Sequence, residues 1–210
     1  MRISRIIIGI TTMLCSQYAY CQELEKSLSF NIGLNLAHPT FIIFNEDGFK
    51  KSIPAYQLSF NKDFFLNKSF GLTLSAGLSK NSFNAGRQVG SIYSIKQLDL
   101  SYLNLESGPS YKVSLNDLAF WCSANLRLSR IISQNYSGYY TGPSLSSSDL
   151  GLNLKVGSKL LSMSMRPYLL FNYYYGLVKV AENSIVTGSG QSLNEYIRNR
   201  SVGVQVGFYF

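Results

Sequence analysis

Residues 201–210 alternate without a break. Val202, Val204, Val206, Phe208 and Phe210 fall on one face, and Ser201, Gly203, Gln205, Gly207 and Tyr209 on the other. Successive side chains of a strand point to opposite sides, so this segment is a strand with one apolar and one polar face. The sequence ends on Phe210. A last strand of this kind, finishing on an aromatic residue, is expected to close a bacterial outer-membrane β-barrel and to be read by barrel-assembly machinery. Alternation in one segment would suit any half-buried strand, but here it recurs along the chain.

Eight such segments can be marked. The first, 27–36, sets Leu28, Phe30, Ile32, Leu34 and Leu36 against Ser29, Asn31, Gly33 and Asn35. The others are 53–64, 69–80, 93–113, 117–131, 149–160, 163–179 and a closing strand from about Tyr196. In the fourth segment the apolar phase slips. Leu98 and Leu100 are even, whereas Leu103, Leu105, Tyr111 and Val113 are odd, and a β-bulge near Tyr102 is expected to absorb the change. In the seventh, Leu170 intrudes on the polar face.

The connections alternate in length. Tight turns are expected at 66–68, 114–116 and 161–162, and long connections at 38–52, 81–91, 132–148 and 181–194. An even count of strands joined alternately by short and long loops predicts an all-β fold, an eight-stranded antiparallel up-and-down transmembrane barrel. Both ends of that domain then lie on the short-turn, periplasmic side. Outward aromatics gather there: Phe30, Phe60, Phe64, Phe70, Phe120, Phe208 and Phe210. Tyr56, Tyr173 and Tyr175 suit an upper girdle, since such rings favour the membrane–water boundary. A soluble sandwich or a lipocalin-like barrel would invert the faces and bury the aromatic band.

Residues 1–21 read as a signal peptide and 22–210 as the barrel domain. Arg2 and Arg5 are followed by an apolar stretch from Ile6 to Leu14, and Ala19 and Cys21 occupy the small-residue positions before Gln22. That stretch is too short to span a bilayer, which takes about 20 apolar residues. Cys122 alone remains beyond the signal, so neither an internal disulfide nor a thiolate metal cluster is available. The formal charge is +8, and subtracting Arg2 and Arg5 leaves +6. Charged residues are only 14% of the chain, with no basic run, so a nucleic-acid partner is not expected. A mild positive excess suits an anionic lipopolysaccharide surface.

At Tyr102-Leu103-Asn104-Leu105-Glu106, at Tyr174-Tyr175-Gly176-Leu177 and along the closing strand, the chain resembles the small PorT-like, porin-family outer-membrane β-barrel proteins of Bacteroidota. Glu106 stands where that family usually has Pro. The resemblance implies an integral outer-membrane barrel. It points further to a part in protein secretion, since PorT itself is tied to type IX secretion.

An eight-stranded barrel is just wide enough for its interior to be filled by side chains. The polar parity places Asn31, Asn35, Gln57, Asn61, Trp121, Asn125, Tyr168, Asn172, Tyr174 and Gln205 inside, together with Asp99, Glu106, Arg127, Lys155 and Arg166. Folding the strands about their turns brings Glu106, Arg127 and Lys155 to one height. Glu106 is expected to pair with Arg127, with Lys155 or Arg166 nearby, in a hydrogen-bonded plug that blocks conduction. Tyr136, Tyr139 and Tyr140, in a loop rich in Tyr, Ser and Gly, are candidate surface contacts.

No catalytic residue, metal ligand or cofactor is expected. His38 is the single histidine, with Glu46 and Asp47 in the same loop, and nothing at fixed spacing makes a triad of them. The expected role is a structural or interaction role at the cell surface, supporting secretion or envelope assembly. Its partners would be outer-membrane lipid and lipopolysaccharide, the assembly machinery, and secretion or envelope proteins. The alternatives are a small passive pore and a lipid A-modifying enzyme.

Overall fold

Eight long strands hydrogen-bond in a ring, each antiparallel to its neighbours. The structure is a computed structural model that describes residues 26–38, 40–42, 50–67, 69–89, 92–137, 144–160, 166–186 and 192–209. The expected signal peptide, Phe210, the turn at 161–162, the start of the seventh segment at Met163, and Tyr139 and Tyr140 lie outside the described residues.

In chain order the strands are β1 (Lys26–Ala37), β2 (Thr40–Ile42), β3 (Lys50–Phe65), β4 (Phe70–Val89), β5 (Ile92–Leu115), β6 (Leu118–Ser137), β7 (Ser144–Leu145), β8 (Ser148–Leu160), β9 (Pro167–Gly176), β10 (Ala181–Val186), β11 (Ser192–Arg198) and β12 (Arg200–Tyr209). The barrel runs β1-β12-β9-β8-β6-β5-β4-β3 and closes where β1 meets both β3 and β12. Leu34, for example, faces Tyr56 on one side and Val204 on the other. Closure leaves no open edge in this ring, the condition for a sheet to live in hydrocarbon.

Burial follows the pleat. In β8, β9 and β12 every second residue is buried, and the buried ones are Gly, Ser, Asn, Asp, Lys, Gln and Tyr, with Leu170 as an apolar exception. The exposed set is mostly Leu, Val and Phe. Leu34 is 62% exposed and Val156 58%, whereas Asn125 and Gln205 are fully buried. An apolar exterior around a polar interior is stable only where the outside is itself apolar, so this barrel is built to stand in a bilayer. The ten residues of β12 rise roughly 3.3 Å each and, tilted by roughly 40°, span about 25 Å, the height of an outer-membrane apolar band.

The expected lower girdle is present on the exterior. Phe30 lies beside Phe60 and Phe208 on adjacent strands, its ring 4.9 Å from that of Phe60. Phe70 meets Tyr111 at the same separation. Asn116, in the tight β5–β6 turn, has φ 51°, a left-handed conformation that asparagine tolerates better than most residues.

Three expectations need correction. The polar connection expected at 81–91 is strand as far as Val89: β4 and β5 continue as a ladder from Ser82↔Asp99 to Val89↔Ile92. Above the hydrocarbon nothing demands an apolar outer face, so the alternation that marks a strand in sequence fades while the backbone ladder persists. The expected long loops likewise carry β2, β7, β10 and β11, which form a second sheet ordered β2-β11-β10-β7.

The third correction concerns the phase of β5. The ladder to β6 does shift between Ser101 and Tyr102, as expected, but the extra residue is Ile132 in the partner strand. β5 itself keeps its parity, and Leu98 and Leu100 point inward. There they pack with Ala37, Phe83, Tyr102 and Val180.

Candidate functional site

The interior is arranged in three tiers. Its middle tier is ionic. Glu106 of β5 stands directly opposite Arg127 of β6 in the ladder. Lys155 of β8 places Nζ 2.6 Å from Glu106 Oε2, and the Asn153 amide donates to Oε1 at 2.9 Å. Arg127 Nε lies 3.7 Å from Oε1, a distance at which the attraction is electrostatic and not a hydrogen bond. The Arg127 guanidinium instead donates to Ser79 Oγ at 2.8 Å and lies over the Tyr174 ring, 4.7 Å from its centre. Lys155 also reaches Asn61 of β3, across the lumen, at 3.5 Å. One carboxylate thus holds two cations, and all three side chains are buried. Buried charges are tolerated in such a closed set because each has a partner.

The lower tier, near the short turns, is aromatic. Phe65, Trp121, Tyr168, Leu170 and Tyr209 pack together, with Tyr168 and Tyr209 ring centres 4.7 Å apart. Leu170, the intruder on the polar face, belongs to this plug. Asp63 accepts from Thr73 at 2.7 Å and from the Tyr209 hydroxyl at 2.9 Å. Lys159 sits over the Tyr209 ring at 3.9 Å and Lys112 over Phe65 at 4.4 Å. They line a cavity of about 10 Å³, enough for one water.

The upper tier is a lid of mixed character. The Asn199 amide donates to the Tyr102 hydroxyl at 2.7 Å and to Asp149 at 2.8 Å, next to the apolar cluster around Leu98 and Leu100.

Of the five residues expected to form the interior network, the structure unites Glu106, Arg127 and Lys155. Asp99 is not among them. With Leu98 and Leu100 turned inward, it falls on the outer side of β5, where it pairs with Lys80 at 2.9 Å. Arg166 is also elsewhere. It precedes β9 at the short-turn rim, where its carbonyl accepts from Tyr209.

Sequence reasoning passed over Asp63, Lys112 and Lys159, although each shares the inward parity of Asn61, Glu106 or Lys155. Their position close to strand ends hid them, because a rim residue can turn either way. Val202, Val204, Val206 and Phe208 of the closing strand face outward. Cys122 is likewise exposed on the outer wall.

Above β1, His38 Nδ1 lies 2.9 Å from Ser52 Oγ on an exposed surface. A hydrolytic triad sets a serine on one ring nitrogen and a carboxylate on the other. Glu46 and Asp47, the acids of that loop, lie outside the described residues, as does the side chain of Tyr136. Among the described residues no group of His, Cys, Asp and Glu could hold a metal ion.

No family model matches the chain, and no curated protein matches it. Solved structures do share its fold. The outer membrane protein OprG from Pseudomonas aeruginosa is 10% identical with a TM-score of 0.59, over 90% of this chain and 97% of that one. The outer membrane protease OmpT from Escherichia coli is 9% identical with a TM-score of 0.52, over 90% and 98%. At such identities the likeness is one of fold.

Proposed function

We propose that the protein is an integral outer-membrane barrel that works as an interaction scaffold at the cell surface, with a lumen closed to solute flow. The observation that carries this reading is the middle tier, where Glu106, Lys155, Arg127 and Asn153 meet across the interior and the aromatic plug lies beneath them. Conduction asks for a continuous wet path, and these side chains occupy it. The motifs that resemble PorT-like proteins carry the finer reading, a supporting part in protein secretion or envelope assembly. Planar-bilayer recording of the purified protein tests the first part. The expected trace is flat at low voltage, and stable unitary steps from the wild type would replace the scaffold with a passive pore. Affinity purification from native outer membrane tests the second, with secretion or envelope components as the expected companions.

A second reading rests on His38 and Ser52. Their 2.9 Å contact, exposed above an apolar wall, is where a barrel enzyme acting on lipid would keep a nucleophile and its base. Mass spectra of lipid A from cells overproducing the protein decide it. Loss of an acyl chain that depends on Ser52 supports hydrolysis, and an unchanged spectrum removes it.

A further inference from the structure

Where β12 lies against β9, the outer wall is apolar for four outward rungs. Phe208 faces Pro167, Val206 faces Leu169, Val204 faces Phe171 and Val202 faces Tyr173. The fifth changes character, with Arg200 opposite Tyr175. The Arg200 guanidinium lies over the Tyr175 ring, 4.6 Å from its centre, and Arg198 stands two residues before it in the chain. Between the two arginines Asn199 turns inward and is buried, its amide held by Tyr102 and Asp149. That anchor lies at the break between β11 and β12, and the flanking Arg198 and Arg200, of the opposite parity, are partly exposed. From Phe208 to Arg200 the strand climbs about 20 Å, at roughly 3.3 Å per residue and a tilt of roughly 40°. The cations therefore stand at the upper edge of the apolar band.

We propose that Arg198, Arg200 and Tyr175 form a phosphate site for the phosphorylated glycolipid of the outer leaflet, lipid A, whose acyl chains lie along the Val202, Val204, Tyr173 and Phe171 strip. The site rests on the outer-membrane reading above. A guanidinium is always charged and presents a planar fork that fits a phosphate through two parallel hydrogen bonds. Stacking on Tyr175 holds the Arg200 fork in place. Inner-leaflet phospholipid headgroups lie at the opposite end of the strip, which selects the outer-leaflet lipid.

The test uses the full barrel refolded in phosphatidylcholine nanodiscs, with bound lipid counted by native mass spectrometry. Bisphosphorylated lipid A, its dephosphorylated form and inorganic phosphate are titrated separately. Each arginine near an anionic surface contributes about fivefold, so the Arg198→Gln/Arg200→Gln variant is expected to hold phosphorylated lipid A about 25-fold more weakly. Lys62→Gln, at the opposite end of the wall, is expected to bind like the wild type. Equal affinity of the double variant, equal retention of the dephosphorylated lipid, or displacement of lipid A by inorganic phosphate overturns the site. Vesicle flotation and heat-modifiable migration are read on the same samples. Protein that floats but does not discriminate removes the site alone, whereas protein that fails to float removes the outer-membrane reading and the site together.

Discussion

Replacing Glu106 by glutamine isolates the electrostatic content of the middle tier. Shape and the acceptor for Asn153 survive, while the charge facing Lys155 at 2.6 Å and Arg127 at 3.7 Å is lost. Two buried cations are then left without their anion. Breaking a buried pair by neutralising one member costs about 3–5 kcal/mol, most of it the stranding of the remaining charge. With a urea slope of about 2 kcal/mol per M, a loss of about 4 kcal/mol lowers the unfolding midpoint by about 2 M. Trp121, the single tryptophan, sits in the lower plug and reports unfolding in lipid vesicles by its fluorescence. The companion variant Glu106→Gln/Lys155→Met removes one stranded cation and is expected to recover about half the loss, since Arg127 remains. A midpoint shift of Glu106→Gln below about 0.25 M, with heat-modifiable migration unchanged, refutes the claim that the carboxylate holds this tier together.

Gly207→Ala is expected to cost about 1–3 kcal/mol, because a Cβ there meets the Asn31 amide oxygen and the Tyr168 ring. Adding Tyr168→Leu recovers part of it in the same urea titration. Cys122, exposed on the outer wall, is expected to react in vesicles with a membrane-soluble maleimide and to resist a charged one. Rapid labelling by the charged reagent in the folded state would place that face in water. Deleting Phe210 is expected to lower insertion into the outer membrane of cells severalfold, read by fractionation, while leaving refolding into detergent unchanged. A parallel loss in detergent would assign the residue to stability instead of assembly.

The barrel was legible in the sequence wherever a bilayer constrains both faces of a strand. Val202 to Phe208 and Leu150 to Val156 alternate because one side must be apolar and the other enclosed. The meeting of Glu106, Arg127 and Lys155 followed from parity and hairpin folding, since the ladder fixes who stands beside whom. Legibility failed where the solvent changes. Leu98 and Leu100 looked like a phase slip because apolar residues were assumed to face outward, yet above the bilayer the apolar side is the inside. Asp99 was misplaced by the same assumption. The stretch 81–89 was taken for a loop because its residues are mostly polar, and with Phe83 the one large apolar side chain turned into the buried cluster the alternation is too sparse to betray a strand. Asp63 shows a subtler failure. Its parity was readable and Thr73 faces it in the β3–β4 hairpin, but its second partner, Tyr209, comes from β12, whose height relative to β3 the sequence does not fix.

The division of the upper half into two sheets has a mechanical consequence. In the ring each strand is hydrogen-bonded on both flanks, so no strand leaves without breaking two ladders. Higher up, the β2-β11-β10-β7 sheet pairs only within itself, and among the described residues no ladder joins it to the tall β4-β5-β6 wall. Cooperativity stops at that boundary. Amide protons of the small sheet are expected to exchange through local openings that cost far less than global unfolding, while those of the ring exchange together. The molecule therefore carries a stiff base and a compliant crown, and the crown can reshape around whatever it meets without loosening the base.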